Sequence, residues 1–234
     1  MFLFSRVRRS SAYSLPLMAG FLLLATTCIA QFSTPAPAGD KSPLRPPAGA
    51  RVAIYVFEDL ECPDCSRAAP LLVEAAQKYK IPLLVHDFPL PMHVWSFDAA
   101  VNARWFDTKG KKIGDDYRAA VFAAQPTIHN QADLRSLTEK FASSHQISLP
   151  FVVDPQKQLS DAVKADYALG QRIGIEHTPT IWVVTNKTNG VPFVEIVDRT
   201  KLYEIIDTAL AETKSTTSQT VPARGKVMKA AAKK

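Results

Sequence analysis

The stretch VFEDLECPDCSRAAPLL, residues 56–72, decides the fold of this chain. It overlaps the β-branched and aromatic run RVAIYVF at 51–57, which is typical of a buried strand. A helix is predicted over 62–79, because Pro63 is tolerated at a first helical position and apolar residues follow at three-to-four spacing. Pro70 lies inside this helix and is expected to kink it, since proline removes one backbone hydrogen bond.

The rest of the folded region alternates between strand and helix patterns. A second strand is predicted at 81–88, and a strand–helix–strand unit implies a right-handed crossover between parallel strands. The remaining predicted elements are three helices between 93 and 146, a helix at 156–173, strands at 180–184 and 193–197, and a helix at 200–211. This order predicts an α/β fold with a helical block inserted between the two halves of the sheet.

Composition and charge narrow the class of protein. Hydrophobic residues make up 47% of the 234 residues and charged residues 21%, which favours a folded core over global disorder. The net charge of +6 comes from the ends, since nine of the 28 basic residues lie in 1–30 and 214–234, which hold no acid. The middle of the chain carries 19 basic against 22 acidic residues. A basic face that binds nucleic acid is therefore disfavoured.

Residues 1–30 are predicted to be a signal peptide or a membrane anchor. Three arginines precede an apolar run over 15–30, and Ala30 offers the small residue that precedes a cleavage site. The run is short of the ~20 apolar residues of a comfortable span, which favours cleavage over a membrane tether. Lipid attachment at Cys28 is a third interpretation, which its flanking residues support poorly. All three predict a periplasmic or otherwise extracytoplasmic protein, where disulfides are permitted.

Two polar segments are predicted to flank the folded domain. Residues 31–50 contain five prolines and are expected to form an extended Pro-rich linker. Residues 213–234 are basic and poor in large apolar side chains, which predicts a disordered tail. The folded domain is therefore expected over 51–212.

Cys62 and Cys65 form a C-x-x-C motif at the junction of the first predicted strand and helix. Three positions along a helix bring both sulfurs close together, so that a disulfide can form and reopen. Cys62 is expected at the helix N-terminus, where unpaired N–H groups favour the thiolate. A zinc site is disfavoured because no second ligand pair follows, and an inert bridge because so short a loop stabilises little. The motif predicts redox exchange and no metal.

Three segments of the sequence resemble the thioredoxin superfamily. Residues 56–72 resemble its active-site strand and helix, with Pro70 as the helix proline. The sequence DFPLPMH at 87–93 is similar to the DsbA-like branch, and GIEHTPT at 174–180 resembles the superfamily's cis-proline loop. The resemblance implies a thioredoxin fold with an inserted helical block at about 93–150, of the DsbA-like type.

The resemblance also implies roles for individual residues. Cys62 matches the attacking cysteine and Cys65 the resolving one. Pro179 matches the cis-proline, and Thr178 matches the residue whose backbone pairs with an extended substrate peptide. Protein or peptide thiols and disulfides are therefore the implied substrates, together with a membrane redox partner that exchanges electrons with the cysteines.

The sequence departs from the family pattern at two positions. Many relatives have a buried acid six residues before the first cysteine, where this chain has Val56, and Glu58 on the same strand face is a candidate substitute. Strongly oxidising relatives have histidine between the cysteines, where this chain has Asp64. With Arg67 as the only nearby base, Glu58 and Asp64 are expected to modulate the pKa of Cys62. The helix is predicted to lower that pKa, but less than in the histidine-bearing relatives.

The sequence thus predicts an exported thiol–disulfide oxidoreductase that acts on protein thiols without a bound cofactor, with disulfide formation as the favoured direction. Two alternatives stay open. One is a reductase or isomerase of the same fold. The other is a non-enzymatic thioredoxin-fold module that binds a metal or a peptide.

Overall fold

The computed structural model of the protein describes residues 39, 41, 43–187 and 192–214. The predictions for 1–30, and for most of the linker and tail, lie outside these residues. The described strands are β1 (Val52–Glu58), β2 (Leu83–Asp87), β3 (Thr180–Thr185) and β4 (Phe193–Glu195). The helices are α1 (Pro63–Tyr79), α2 (Ser96–Asp107), α3 (Lys111–Ala124), α4 (Gln131–Ser144), α5 (Gln158–Ile173) and α6 (Leu202–Lys214). The predicted order of strands and helices is confirmed.

The described strands form one mixed sheet in the order β2-β1-β3-β4. β1 is parallel to β2, as the crossover through α1 requires, and antiparallel to β3, which in turn is antiparallel to β4. The central position of β1 explains why all seven of its residues are buried. Its C-terminal end leads directly into the C-x-x-C motif, so the sheet fixes where that motif lies.

Alternate residues of β1 serve two separate cores. Ile54 and Val56 pack with α1 and α6 on one face of the sheet. Tyr55 and Phe57 pack with the end of α5 on the other face. This two-residue alternation is the ordinary geometry of a strand that is covered on both sides.

The inserted helices build a third core of their own. α2, α3 and α4 bury a cluster of aromatic side chains that includes Trp95, Phe106 and Tyr117. Leu60 and both motif cysteines belong to the same cluster. The helical block therefore covers one side of the C-x-x-C motif, and α5 connects the block back to the sheet.

The structure differs from the predicted spacer where the end of the linker is described. Leu44 is 1% exposed and packs in the core beneath α5. The hydroxyl of Tyr55 donates to the carbonyl oxygen of Arg45, and the backbone N–H of Arg45 donates back to that hydroxyl at 3.2 Å. A single leucine between prolines carries no periodic signal, so this contact could not be predicted from spacing. In the described part of the chain, no helix has the length and apolar character of a membrane span.

Candidate functional site

The two cysteines lie where β1 passes into α1. Cys62 is the N-cap residue of α1, and Pro63 follows at the first helical position. Both thiols are free and buried. The Sγ–H of Cys62 donates to the carbonyl oxygen of Thr178 at 3.3 Å. The Thr178–Pro179 peptide bond is cis, and both of its residues are buried. The structure thus brings together the four residues that the sequence selected from two distant motifs.

The surroundings of Cys62 favour its thiolate. A hydrogen bond from the Cys65 thiol lowers the pKa of Cys62 to about 5, against the opposing effect of burial. The Thr178 side chain and the backbone N–H groups of Asp64 and Cys65 act in the same direction. The Thr178 hydroxyl is buried and has no hydrogen-bond partner among the described residues, so it is free to donate once the thiolate forms. The predicted lowering of this pKa agrees with this geometry, and the helix N–H groups are only part of its cause.

Cys65 has the opposite character. Burial raises the pKa of Cys65 well above its usual value, and its donation to Cys62 and the charge of Glu58 raise it further. The backbone N–H of Asp59 donates to Cys65 Sγ at 3.4 Å, which works against this rise. At neutral pH the site therefore holds one thiolate and one thiol, and the difference between them is built by burial and hydrogen bonding.

Two acids that the sequence places near Cys62 are used to hold the backbone. Asp59 Oδ2 accepts from the N–H of Leu90 at 2.6 Å and lies 2.7 Å from His93 Nδ1. Glu61 Oε2 accepts from the N–H of Trp95 at 2.8 Å. These bonds fix the loop before Cys62 to the connection between β2 and α2. The two carboxylates are thus occupied as acceptors for this loop.

The carboxylate of Asp64 is held by two arginines, one of them distant in the sequence. Arg199, in the short 3-10 helix Arg199–Lys201, donates from Nη2 to Asp64 Oδ1 at 2.7 Å, and Arg67 donates to the same oxygen at 3.1 Å. The hydrogen bond from Arg199 lowers the pKa of Asp64, so its carboxylate stays ionised. The expectation that Arg67 is the only base near the motif was wrong, because Arg199 reaches it from 135 positions away.

Glu58 lies in a buried group of charges beneath the motif. It pairs in register with Asp87 at the ends of the parallel strands β1 and β2. Arg118 Nη1 donates to Asp87 Oδ1 at 2.6 Å and lies 3.8 Å from Glu58 Oε1. Burial raises the pKa of Glu58 to about 7, and the neighbouring Asp87 adds to this against the pull of Arg118. The charge of Glu58 is one of the causes that raise the pKa of Cys65.

Sequence patterns did not point to Arg118 or Arg199. Both lie far along the chain from the motif, and an arginine on a helix or in a loop is ordinarily solvated. The one available signal was the sheet geometry, since parallel strands place Glu58 beside Asp87 and two buried acids need a cation.

Within the described ranges, no group of three or more His, Cys, Asp and Glu side chains could hold a metal ion. A stabilised thiolate beside a buried thiol can attack a disulfide to form a mixed disulfide, and the second cysteine can then displace the bound molecule.

Solved structures of DsbA-type proteins share this fold. Alpha-DsbA1 of Wolbachia pipientis superposes with a TM-score of 0.61 at 16% identity, covering 74% of this chain and 93% of that one. The thiol-disulfide exchange protein alpha-DsbA2 of the same organism gives 0.55 at 16% identity, with 76% and 88% covered. ScsC of Proteus mirabilis gives 0.54 at 20% identity, with 70% and 69% covered. The predicted thioredoxin fold with an inserted helical block is confirmed.

Sequence comparison agrees at the level of the family. No curated protein sequence matched the chain. A family profile described as thioredoxin matches residues 47–222, which is more than half of the chain. The α/β order, the C-x-x-C motif at the start of α1 and this match lead to one conclusion: the chain belongs to the thioredoxin family.

Proposed function

We propose that the protein is an exported thiol–disulfide oxidoreductase that exchanges disulfides with protein thiols through Cys62 and Cys65. One observation carries the proposal. A thiolate-favouring cysteine, with a pKa of about 5, lies 3.3 Å from the carbonyl oxygen of Thr178 and is backed by a buried thiol. The name of the similar Wolbachia protein, which describes it as a thiol-disulfide exchange protein, supports the same chemistry.

In the oxidising direction, the enzyme begins with a Cys62–Cys65 disulfide. A substrate thiolate attacks Cys62 Sγ, the bond between the two enzyme sulfurs breaks, and Cys65 leaves with the electron pair. Cys62 is the sulfur that we propose as the point of attack, because it is the more exposed of the two, at 7% against 1% for Cys65, and it lies beside Thr178. The product is a mixed disulfide between substrate and Cys62.

A second substrate thiolate completes the reaction. It attacks the substrate sulfur of the mixed disulfide, and Cys62 leaves as a thiolate. The substrate has then lost two electrons and gained a disulfide, and the enzyme holds a thiolate at Cys62 and a thiol at Cys65. A low pKa makes Cys62 a good leaving group and stabilises the reduced enzyme, which supports disulfide formation as the favoured direction.

Cys65 needs a proton when it leaves, and Glu58 is the group that we propose for supplying it. Its pKa of about 7 means that a large fraction of this buried carboxyl carries a proton at neutral pH. The charge of Glu58 raises the pKa of Cys65, so the two groups are electrostatically coupled. Glu58 would thereby take the role of the acid that many relatives have at the position of Val56, two residues earlier in β1.

Thr178 and Pro179 are proposed to receive the substrate backbone. The Thr178 carbonyl oxygen accepts from Cys62 only while that residue is a protonated thiol. In the thiolate and in the disulfide Cys62 has no proton to donate, so this oxygen is available for an N–H of an extended peptide. Proline has no N–H, so Pro179 presents no donor that competes for the attacking sulfur.

Activity assays on cysteine variants test the function. We expect the wild type to oxidise a dithiol peptide and to reduce insulin, and we expect Cys62→Ser to lose both activities. Cys65→Ser should retain attack by Cys62 and accumulate as a mixed disulfide with its substrate. Cell fractionation of the full chain tests export, with the protein expected outside the cytoplasm.

Other outcomes would favour the alternatives. Efficient insulin reduction with little dithiol oxidation would make the protein a reductase, and repair of scrambled disulfides would make it an isomerase. Peptide or metal binding that persists in Cys62→Ser, without turnover in the wild type, would make it a binding module and overturn the proposal.

A further inference from the structure

Building on the proposed function, we propose that Arg199 is a positioning residue that sets the reactivity of Cys62 by holding the Asp64 carboxylate and cancelling its charge. The sequence of the motif alone indicates a poorly stabilised Cys62 thiolate, because the negatively charged Asp64 lies between the two cysteines. The structure supplies the missing cation from the segment between β4 and α6.

The contact between the two residues has two parts. Arg199 Nη2 donates to Asp64 Oδ1 at 2.7 Å, and Arg199 Nη1 donates to the backbone carbonyl oxygen of Asp64 at 3.4 Å. One guanidinium thus donates hydrogen bonds to both the side chain and the backbone of Asp64. Since the N–H of Asp64 is one of the groups that lower the pKa of Cys62, holding this residue also holds a donor in place.

Arg199 is the better placed of the two arginines at Asp64. Its side chain is 33% exposed, against 68% for Arg67, and its hydrogen bond to Asp64 is shorter. A less exposed partner is screened less by water and loses less freedom on pairing. Arg199 is also the leading cause of the lowered pKa of Asp64. The neutralisation of Asp64 therefore depends mainly on Arg199.

The charges around the motif then have a simple balance. Asp64 with Arg67 and Arg199 carries a net charge of +1 beside the N-terminus of α1, where the sequence alone suggests an excess of acid. The carboxylates of Asp59 and Glu61 also lie near the motif, where they accept hydrogen bonds at His93 and Trp95, so the two arginines offset acid on this side of the helix. A positive charge near a cysteine favours its thiolate. Arg199 is expected to make Cys62 a faster nucleophile at low pH and a better leaving group.

Thiolate titration provides the test. We expect Arg199→Ala to raise the midpoint of the Cys62 thiolate absorbance by about half a pKa unit to one unit. Asp64→Asn should lower the midpoint, and the double variant should return close to the wild-type value, since equal and opposite charges are then removed together. Arg199→Lys should restore most of the wild-type midpoint, because the charge remains.

The chain offers a matched control for charge in general. Lys201 is an exposed base on the same short helix, and Lys201→Ala removes one positive charge at a position that does not contact Asp64. If Arg199→Ala moves the midpoint no more than Lys201→Ala does, the inference is wrong. Far-UV circular dichroism and the Arg199→Lys variant separate a loss of charge from a loss of folding.

The inference and the proposed function fail in different ways. A wild-type protein without disulfide exchange would contradict the function, whatever the titration shows. An active wild type whose Cys62 midpoint is indifferent to Arg199 would contradict the inference and leave the function standing. The equilibrium with glutathione gives a second readout, in which Arg199→Ala should shift toward the disulfide form because its thiolate is less stabilised.

Discussion

The Sγ atom of Cys62 lies 3.3 Å from the carbonyl oxygen of Thr178, across a separation of 116 residues. The segment between them contains the helical block and α5, which return the chain to the sheet beside the motif. β3 begins at Thr180 and pairs antiparallel with β1, so the residue before Pro179 arrives at the end of the strand that leads to Cys62. The site is thus a consequence of strand pairing.

The difference between the two cysteines predicts selective alkylation. Between pH 6 and 8, we expect iodoacetamide to modify Cys62 and to leave Cys65 largely unmodified, because only Cys62 has a lowered pKa and Cys65 is the more deeply buried. The rate should be half-maximal near pH 5. Mass spectrometry of the tryptic peptides measures both sites, and a urea-unfolded sample serves as the control in which both thiols react. Equal modification of the folded protein would contradict the assignment.

The origin of the lowered pKa predicts a contrast between two substitutions at Cys65. Cys65→Ala removes the hydrogen bond that contributes most to the lowered pKa of Cys62, so the Cys62 midpoint should rise by about 1 unit or more. Cys65→Ser keeps a hydroxyl donor and should give a smaller rise. Absorbance at 240 nm against pH measures the midpoint. If both variants titrate as the wild type does, the backbone N–H groups at the start of α1 carry the effect instead.

Much of the fold follows from local patterns that the sequence displays. The buried run at 51–57, the tolerated Pro63 and the helical spacing after 93 are each decided by neighbours within a few residues. The two landmarks of the site are also local, since C-x-x-C and the HTPT segment at 177–180 are continuous stretches. Local signals of this kind can be recognised without knowledge of the tertiary structure.

The electrostatics of the site are different, because they depend on which distant cation meets which acid. From the sequence, the negative charge of Asp64 is expected to disfavour the Cys62 thiolate. In the structure Arg199 pairs with this carboxylate and offsets its charge. Likewise, both Glu58 and its register partner Asp87 are buried, but only the pKa of Asp87 is lowered, because Arg118 and Arg104 both pair closely with it. Such pairings are fixed by tertiary packing, and single-sequence patterns do not carry them.

The buried position of Arg118 predicts a strong dependence of stability on its charge. Arg118 is 7% exposed and ion-pairs with Asp87, so Arg118→Met leaves a buried carboxylate with one cation fewer. We expect the free energy of unfolding to fall by about 3 kcal/mol, measured by urea denaturation at pH 7. Arg135→Met is the matched control, because Arg135 pairs with Glu139 in a contact more than half exposed on both sides. That control should change stability by less than about 1 kcal/mol. Equal losses in the two variants would contradict the prediction.

The raised pKa of Glu58 predicts how stability varies with pH. The folded state binds the Glu58 proton more tightly than the unfolded chain does, because burial raises the pKa from 4.5 to about 7. The proton-bound form therefore contributes stability below pH 4.5, and this contribution is lost as the pH rises through 7. Glu58→Gln removes the titration. The unfolding free energy of the wild type minus that of Glu58→Gln should fall across this window, by at most about 3 kcal/mol.

Urea denaturation at a series of pH values from 4 to 8 measures this difference, with both proteins kept reduced so that the charge of Cys62 is the same in each. Groups that do not interact with Glu58 contribute equally to both proteins and cancel in the subtraction. Glu139→Gln, at an exposed position of α4, is the control for removing one carboxylate, and the slope for Glu58→Gln is judged against it. A flat difference for Glu58→Gln would mean that Glu58 has the same pKa in the folded and unfolded states, because Arg118 then offsets burial. In that case Glu58 holds no proton at neutral pH, and the proton for Cys65 must come from water.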